Sequence, residues 1–185
     1  ATALLLAQQG YAVGVNYVNN DIAAQSVVDD ILQAGGKAIA LKADIADEEQ
    51  VVAMFRRLSA ELGPVTALVN NAGILFQQTT LENLSAERIN KVLSTNVTGY
   101  FLCCREAVKI MSHRHGGNGG AIVNVSSAAS RLGAPGEYVD YAASKGAVDT
   151  LTTGLALEVA AYGIRVNCVR PGLIYTEMHA SGGEP

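Results

Sequence analysis

The chain has 185 residues, of which 49% are hydrophobic and 16% are charged, and its mean hydropathy is +0.21. This composition excludes a disordered chain, which needs low hydrophobicity and high net charge, and the length suits one domain with a sizeable core. Thirteen Lys and Arg against seventeen Asp and Glu give a net charge of −4, so we expect no nucleic acid partner.

Short apolar runs alternate with longer helical segments along the chain. The predicted helices span residues 1–9, 21–34, 47–62, 85–113 and 139–162. The predicted strands span residues 11–17, 37–42, 66–70, 121–125 and 164–169. The strands are continuous apolar runs, which is typical of a parallel sheet buried on both faces. The alternation predicts βαβ crossovers and hence an α/β fold with a doubly wound parallel sheet, in a single domain of residues 1–185.

One glycine-rich stretch, residues 116–120, runs from a predicted helix to a predicted strand. A phosphate-binding loop runs in the other direction, from strand to helix, so that the N–H groups at the helix N-terminus face the anion. We therefore predict a flexible connection here and not a ligand cradle.

The strongest chemical signal is a Tyr and a Lys four residues apart at the head of the last helix. Tyr141 and Lys145 share one helical face at this spacing. A phenol with a pKa near 10 is a poor acid or base at neutral pH, but a neighbouring ammonium lowers that pKa. Alone, such a pair is more often two exposed polar residues of an amphipathic helix.

Other polar and small residues follow the predicted strands. Asn70-Asn71-Ala72-Gly73, Ser126-Ser127 and Pro171-Gly172 each come directly after an apolar run. Ligands of open α/β sheets bind outside the carboxyl ends of the strands, where a serine can donate to a substrate oxygen. A lone serine there more often caps a turn. Asn96 lies inside the long helix 85–113, where asparagine is a mediocre helix former and can bend the helix or hold water.

Together these motifs resemble the short-chain dehydrogenase/reductase family over nearly the whole chain. They are, in order, Asp44, Asn70-Asn71-Ala72-Gly73, Asn96, Ser126-Ser127, Tyr141-x-x-x-Lys145 and Pro171-Gly172. The sequence is similar to bacterial members near the sugar dehydrogenases and the 3-oxoacyl-carrier-protein reductases. The resemblance implies a Rossmann-like NAD(P)-binding domain, an oxidoreductase activity on a small carbonyl or secondary alcohol, and a homodimer or homotetramer.

The resemblance also implies roles for four catalytic residues. Tyr141 would protonate the carbonyl oxygen, or deprotonate the alcohol in reverse. Lys145 would lower the pKa of Tyr141 and hold the nicotinamide ribose. Ser127 would hydrogen-bond the substrate oxygen, and Asn96 would support a water in a proton relay. The cofactor itself supplies the hydride chemistry.

A further set of residues is implied to contact the cofactor. Asp44 would contact the adenine, although it can equally be a turn residue at the end of a strand. Asn70 and Gly73 would line the cofactor channel, and Thr176 would reach the carboxamide. The full implied set is Asp44, Asn70, Ala72, Gly73, Tyr141, Lys145, Pro171, Gly172 and Thr176.

The sequence departs from the family pattern in three places. The glycine-rich turn and the central first strand would lie before Ala1, and the family continues beyond Pro185 with a further helix and strand. We therefore expect a Rossmann-like domain that is incomplete at both ends. Ser127 and Tyr141 are fourteen positions apart, one more than is usual in the family, so Ser126 remains an alternative to Ser127.

The cofactor preference depends on residues 16–20, which end the first predicted strand. An acidic residue there would bind the ribose 2′-OH and favour NAD. The segment reads Asn-Tyr-Val-Asn-Asn and contains no acid, so a 2′-phosphate is not repelled. The segment favours NADP, with NAD as the alternative.

The cysteines and histidines give no sign of a metal site. Cys103 and Cys104 lie near His113 and His115, but adjacent cysteines on a helix point in different directions, whereas structural zinc sites use ligand pairs with spacers. We expect no metal. Three cysteines are too few for a disulfide framework and indicate a reducing cytoplasm. No apolar run reaches the roughly 18 residues of a membrane helix, so we expect no membrane partner.

Two other function classes are compatible with parts of this pattern. A nucleotide-sensing or scaffold protein could keep the fold without catalysis, but such members usually lose the tyrosine or the lysine, and both are present here. A serine hydrolase using Ser126 or Ser127 would need a Gly-x-Ser-x-Gly elbow, which the sequence lacks.

Overall fold

The computed structural model describes residues 1–174 and residue 182. The chain divides into two compact units, Ala1–Val65 and Thr66–Pro185. In each unit, parallel strands alternate with helices, which confirms the predicted parallel α/β fold.

The first unit is built on two parallel strands. β1 (Ala12–Tyr17) pairs with β2 (Lys37–Lys42), with Ala12 opposite Lys37. The helices of this unit are α1 (Thr2–Gln8), α2 (Asp21–Gln33) and α3 (Glu48–Leu62).

Side-chain caps and a small apolar core fix the first unit. Asn20 caps α2 by accepting the Ala23 N–H at 2.9 Å, and Asp47 caps α3 by accepting the Gln50 N–H at 3.1 Å. The core packs α2 against both strands through buried aliphatic side chains. Burial of one large aliphatic side chain stabilises the folded state by about 1.5–3 kcal/mol. Its buried members are Val13, Val28, Ile31 and Ala38.

In the residues that the structure describes, the second unit contains three parallel strands in the order β3-β4-β5. Their bounds are Ala67–Asn70, Gly120–Val125 and Ile164–Val169. Asn70 lies opposite Asn124, and Val125 lies opposite Val169. The carboxyl ends of all three strands therefore meet at one edge of the sheet.

The helices of the second unit differ in two ways from the predicted ones. They are α4 (Ala86–Leu93), α5 (Gly99–Met111), α6 (Ala129–Leu132) and α7 (Val139–Val159), with 3₁₀ turns at Leu81–Asn83, His113–His115 and Ala160–Tyr162. The predicted helix 85–113 is interrupted by a π-helical turn, Ser94–Thr98, between α4 and α5. The short helix α6 was not predicted.

The glycine-rich stretch 116–120 is held more firmly than the sequence predicted. The Gly119 N–H donates to the Met111 carbonyl at 2.7 Å, and the Gly120 N–H donates to the Gly163 carbonyl at 3.0 Å. At Gly117 a side chain would collide with the backbone of Ile110 and Met111. The stretch is thus a tightly packed, hydrogen-bonded connection and not the flexible one expected.

Candidate active site

The ammonium of Lys145 is buried at the carboxyl edge of the sheet in the second unit. Lys145 is only 2% exposed, and its Nζ donates to the Val125 carbonyl at the end of β4 at 2.7 Å. The same ammonium lies 5.3 Å from the ring centroid of the buried Tyr100, within cation–π range. A methyl group at Gly73 would lie 3.5 Å from this Nζ, so the backbone after β3 passes beside it.

Burial changes how this lysine titrates. Removal from water disfavours the ammonium and lowers the pKa of Lys145 from 10.5 to about 8, although the charge of Asp149 opposes the shift. Lys145 therefore loses its proton within the pH range in which most enzymes are studied.

Tyr141 lies in the first turn of α7, one helical turn before Lys145. Burial raises the pKa of the Tyr141 phenol above its ordinary value of 10.0, and a hydrogen bond with the Ser127 side chain partly opposes the shift. The Lys145 ammonium lies over the phenol ring, 5.6 Å from its centroid. The pKa of Tyr141 is thus shifted upwards by burial, in the opposite direction to the lowering expected from Lys145.

The two serines after β4 have different surroundings. Ser126 is 2% exposed, and its hydroxyl donates to the Lys145 carbonyl at 3.1 Å. The Ser127 hydroxyl accepts the Ala129 N–H at 3.1 Å and hydrogen-bonds with Tyr141. Of the two candidates, it is Ser127 whose hydroxyl lies beside the phenol.

Asn96 lies in the π-helical turn and is completely buried. Its Oδ1 accepts the Ile74 N–H at 2.8 Å, and its Nδ2 donates to the Ile74 carbonyl at 2.9 Å and to the Ser144 hydroxyl at 3.1 Å. Ser144 in turn donates to the Tyr141 carbonyl at 2.6 Å. Asn96 thus joins the segment after β3 to the first turns of α7, and π-helical turns of this kind are frequent at functional sites.

The Asn70 side chain lies in a buried polar network at the end of β3. Its Nδ2 donates to Asn124 Oδ1 at 2.9 Å and to the Cys104 sulfur at 3.3 Å. Asn124 continues the network by donating to the Thr152 hydroxyl at 2.9 Å. The predicted contact of Asn70 with a cofactor therefore stays a prediction, because its amide hydrogen-bonds within the protein. Ala72 and Gly73, which follow it, are partly exposed.

The remaining predicted cofactor residues are Pro171, Gly172, Thr176 and Asp44. The Pro171 carbonyl accepts the Ala128 N–H at 2.9 Å, and a methyl group added at Gly172 would contact none of the described residues. Thr176 lies outside the described residues. In the first unit, Asp44 Oδ1 accepts the Ala46 N–H at 2.9 Å, which is the turn role that the sequence left open for it.

Sequence reasoning missed an ion pair next to Tyr141. Arg88 of α4 bonds both carboxylate oxygens of Asp140, at 2.8 and 3.2 Å, and the Asp140 side chain is 2% exposed. The two residues are 52 positions apart, so no local pattern joins them. The only signal in the sequence was an acidic residue directly before Tyr141.

Comparisons with known proteins identify the family of the chain. The family model for short chain dehydrogenases matches residues 1–184. The chain belongs to the short-chain dehydrogenase family. It is 76% identical to the Escherichia coli (strain K12) "Uncharacterized oxidoreductase YgfF" over 185 residues, which are 100% of this chain and 75% of that protein.

More distant members of the short-chain dehydrogenase family give the same result. A 3-oxoacyl-[acyl-carrier-protein] reductase of Synechocystis sp. is 38% identical over 96% of this chain and 70% of its own length. The crystal structure of a short chain dehydrogenase from Burkholderia cenocepacia J2315 in complex with NADP matches with a TM-score of 0.86 and 35% identity. That match covers 95% of this chain and 69% of the solved one. The fold is therefore the Rossmann-like fold of this family.

Metal ligands and membrane spans can be assessed for residues 1–174 and 182. Within them, no three His, Cys, Asp or Glu side chains are grouped so that they could hold a metal ion. No helix in the same residues has the length and apolar character to cross a membrane.

Lys145→Met should stabilise the protein more at low pH than at high pH. The pKa of Lys145 is lower in the folded chain, about 8, than its ordinary 10.5, so between these values the unfolded chain binds more protons and stability rises with pH. Below about pH 8 the folded protein carries the full cost of the buried ammonium, which Met removes. The variant also loses the hydrogen bond from Lys145 to the Val125 carbonyl, but this carbonyl still accepts the Tyr100 hydroxyl at 3.2 Å and so is not left without a donor.

The measurement is the Tm of parent and variant at about pH 6.5 and about pH 10. The gain in Tm from Lys145→Met should be larger at the lower pH. The exposed Lys91→Met is the matched control and is measured at the same two pH values. An equal gain at both pH values would mean that burial does not lower the pKa of Lys145.

Proposed function

We propose that the protein is an NADP(H)- or NAD(H)-dependent oxidoreductase that interconverts a carbonyl compound and a secondary alcohol. The observation that carries the proposal is the grouping of Ser127, Tyr141 and Lys145 at one strand edge. The hydroxyl groups of Tyr141 and Ser127 are hydrogen-bonded to each other. The positively charged Nζ of Lys145 lies 5.6 Å from the centroid of the Tyr141 ring. A phenol and an adjacent hydroxyl suit a substrate oxygen that accepts hydrogen bonds while it gains or loses a proton.

Tyr141 is the acid in the reductive direction and the base in the oxidative direction. In reduction, the phenol O–H donates to the substrate carbonyl oxygen and transfers its proton as that oxygen becomes an alkoxide. Ser127 donates a second hydrogen bond to the same oxygen and holds the carbonyl in place. The high pKa of the buried phenol favours the protonated form, which is the form that reduction needs.

The residues around Lys145 suit the ribose end of a nicotinamide dinucleotide. Val125 accepts one of the three N–H groups of the Lys145 ammonium, so among the described contacts two donors remain for ribose hydroxyl groups. Gly73 offers backbone without a side chain next to this ammonium. When bound, the nicotinamide supplies the hydride that the protein side chains cannot supply. Asp44, Asn70, Ala72, Pro171, Gly172 and Thr176 remain proposed contacts to the rest of the cofactor.

Asn96 is proposed to help resupply the proton of Tyr141 by holding the backbone around the site in place. Its side chain holds Ile74 and Ser144, so it fixes both the backbone beside Gly73 and the turn that carries Tyr141. In the proposed reaction this arrangement keeps a water near Lys145 that returns a proton to Tyr141.

We further propose a homodimer or homotetramer and a cytoplasmic location. Phe101 on α5 and Leu157 on α7 are 51% and 79% exposed, and apolar groups of this size suit a subunit interface. The three cysteines are free thiols, which suits a reducing compartment.

Tyr141→Phe should lower kcat by at least about 100-fold, because the variant has no proton to transfer. The Kd of NADPH, read by fluorescence titration, should change by less than about twofold, since the ring and Lys145 remain. The test follows NADPH consumption by its absorbance with the best substrate from a panel of ketones, aldehydes and β-keto esters. Tyr11→Phe, an exposed tyrosine of the first unit, is the control and should keep the parent rate. A Tyr141→Phe variant with the parent rate would contradict the proposed role.

NADPH should bind at least as tightly as NADH. The reason is that residues 16–20 place no carboxylate near the end of β1 to repel a 2′-phosphate. Fluorescence titration with each cofactor gives the two Kd values. Val18→Asp introduces a carboxylate at an exposed position of this segment and should weaken NADPH binding more than NADH binding. A lower Kd for NADH in the parent protein would contradict the preference.

A further inference from the structure

The ion pair between Arg88 and Asp140 is a buried contact with a specific shape. Arg88 Nε donates to Asp140 Oδ2 at 2.8 Å, and Arg88 Nη2 donates to Oδ1 at 3.2 Å, so the guanidinium grips both oxygens. The two side chains are only 16% and 2% exposed. Asp140 directly precedes Tyr141, so this grip holds the first turn of α7 next to the phenol.

Arg88 also holds the segment that follows Gly73. Its Nη1 donates to the Gln77 carbonyl at 2.7 Å, and its guanidinium lies 5.6 Å from the ring centroid of Phe76. The planar guanidinium therefore binds two parts of the chain at once, because one edge binds α7 and the other binds segment 74–77.

Asn96 makes the same kind of connection eight residues later. It binds Ile74 at the start of segment 74–77, and through Ser144 it binds the Tyr141 carbonyl. Arg88 binds Gln77 at the other end of that segment. Two residues of one helical stretch thus tie both ends of segment 74–77 to the turn that carries Tyr141.

We propose that Arg88 and Asp140 are positioning residues that fix the distance between segment 74–77 and the Tyr141 phenol, and so set where a carbonyl substrate sits against the acid. This inference rests on the proposed function. Neither residue is proposed to touch the substrate, because each guanidinium nitrogen of Arg88 and each carboxylate oxygen of Asp140 already makes one of the contacts described above.

The effect on stability distinguishes a positioning role of the Arg88–Asp140 ion pair from a purely structural one. Replacing a buried ion pair by apolar residues of similar size often leaves stability unchanged or higher, because two desolvated charges are removed together. Gln77 is exposed, so water can satisfy its carbonyl after the change. An apolar pair should therefore keep the fold while losing the bidentate geometry, and a displacement of about 1 Å at a reacting group can lower a rate about 100-fold.

The experiment compares the double variant Arg88→Met/Asp140→Leu with the parent protein. We expect kcat/KM for the carbonyl substrate to fall by about 10- to 100-fold, with KM raised as well as kcat lowered. The Kd of NADPH should stay within about twofold and the Tm should not fall. The control is Arg57→Met/Glu61→Leu, which removes an exposed ion pair of α3 and should keep the parent kcat/KM.

A second variant tests the proposal if the double variant does not fold. Arg88→Lys keeps the charge beside Asp140 but cannot bind both of its oxygens and Gln77 at once. We expect a smaller loss of kcat/KM with an unchanged Tm.

Amide hydrogen exchange provides a readout that does not need activity. Exchange in residues 74–79 and 139–145 should become faster in both Arg88 variants. If the parent protein binds NADPH but reduces no carbonyl compound, the proposed function is contradicted. The amide exchange rates then still test whether Arg88 and Asp140 hold the two segments. Unchanged exchange, a kcat/KM within about twofold of the parent, or a loss of NADPH binding equal to the loss of kcat/KM would each overturn the positioning role.

Discussion

The ammonium of Lys145 is buried at the carboxyl end of β4, and the candidate active site is arranged around it. A buried charge is costly unless it is hydrogen-bonded, and here the Val125 carbonyl and the rings of Tyr100 and Tyr141 surround it. The backbone at Gly73 passes beside the same charge. A lysine held in this way remains mostly charged at neutral pH and can bind an oxygen-rich ligand, which is the use we propose for it.

Two residues of the helices before α7 hold the segments around the Lys145 ammonium in a fixed arrangement. Asn96 and Arg88 both bind segment 74–77 on one side and the start of α7 on the other. The π-helical turn makes the first connection, since it places the Asn96 amide where it pairs with both backbone groups of Ile74. The phenol of Tyr141 is thus placed by hydrogen bonds from two directions, as a group that must meet a substrate oxygen requires.

Local patterns predicted part of this arrangement, and long-range pairing determined the rest. Tyr141 and Lys145 could be placed together because helical spacing puts residues four apart on one face. The partner of Arg88 could not be found, because it lies 52 positions away and depends on how α4 packs on α7. The family resemblance implies a cofactor contact for Asn70, which stays a prediction. The partner of its amide could not be predicted, because it depends on the sheet register, which sets Asn70 opposite Asn124.

The most direct test of the central claim is an NMR titration of Lys145. The protein is labelled with ¹³C at lysine Cε, and the Lys145 signal is assigned by its absence in Lys145→Arg. Its shift, followed from about pH 6 to about pH 11, should titrate with a pKa of about 8, below the ordinary lysine value of 10.5. A pKa near the ordinary 10.5 would contradict the account, because it would mean that the ammonium at the centre of the site is not desolvated.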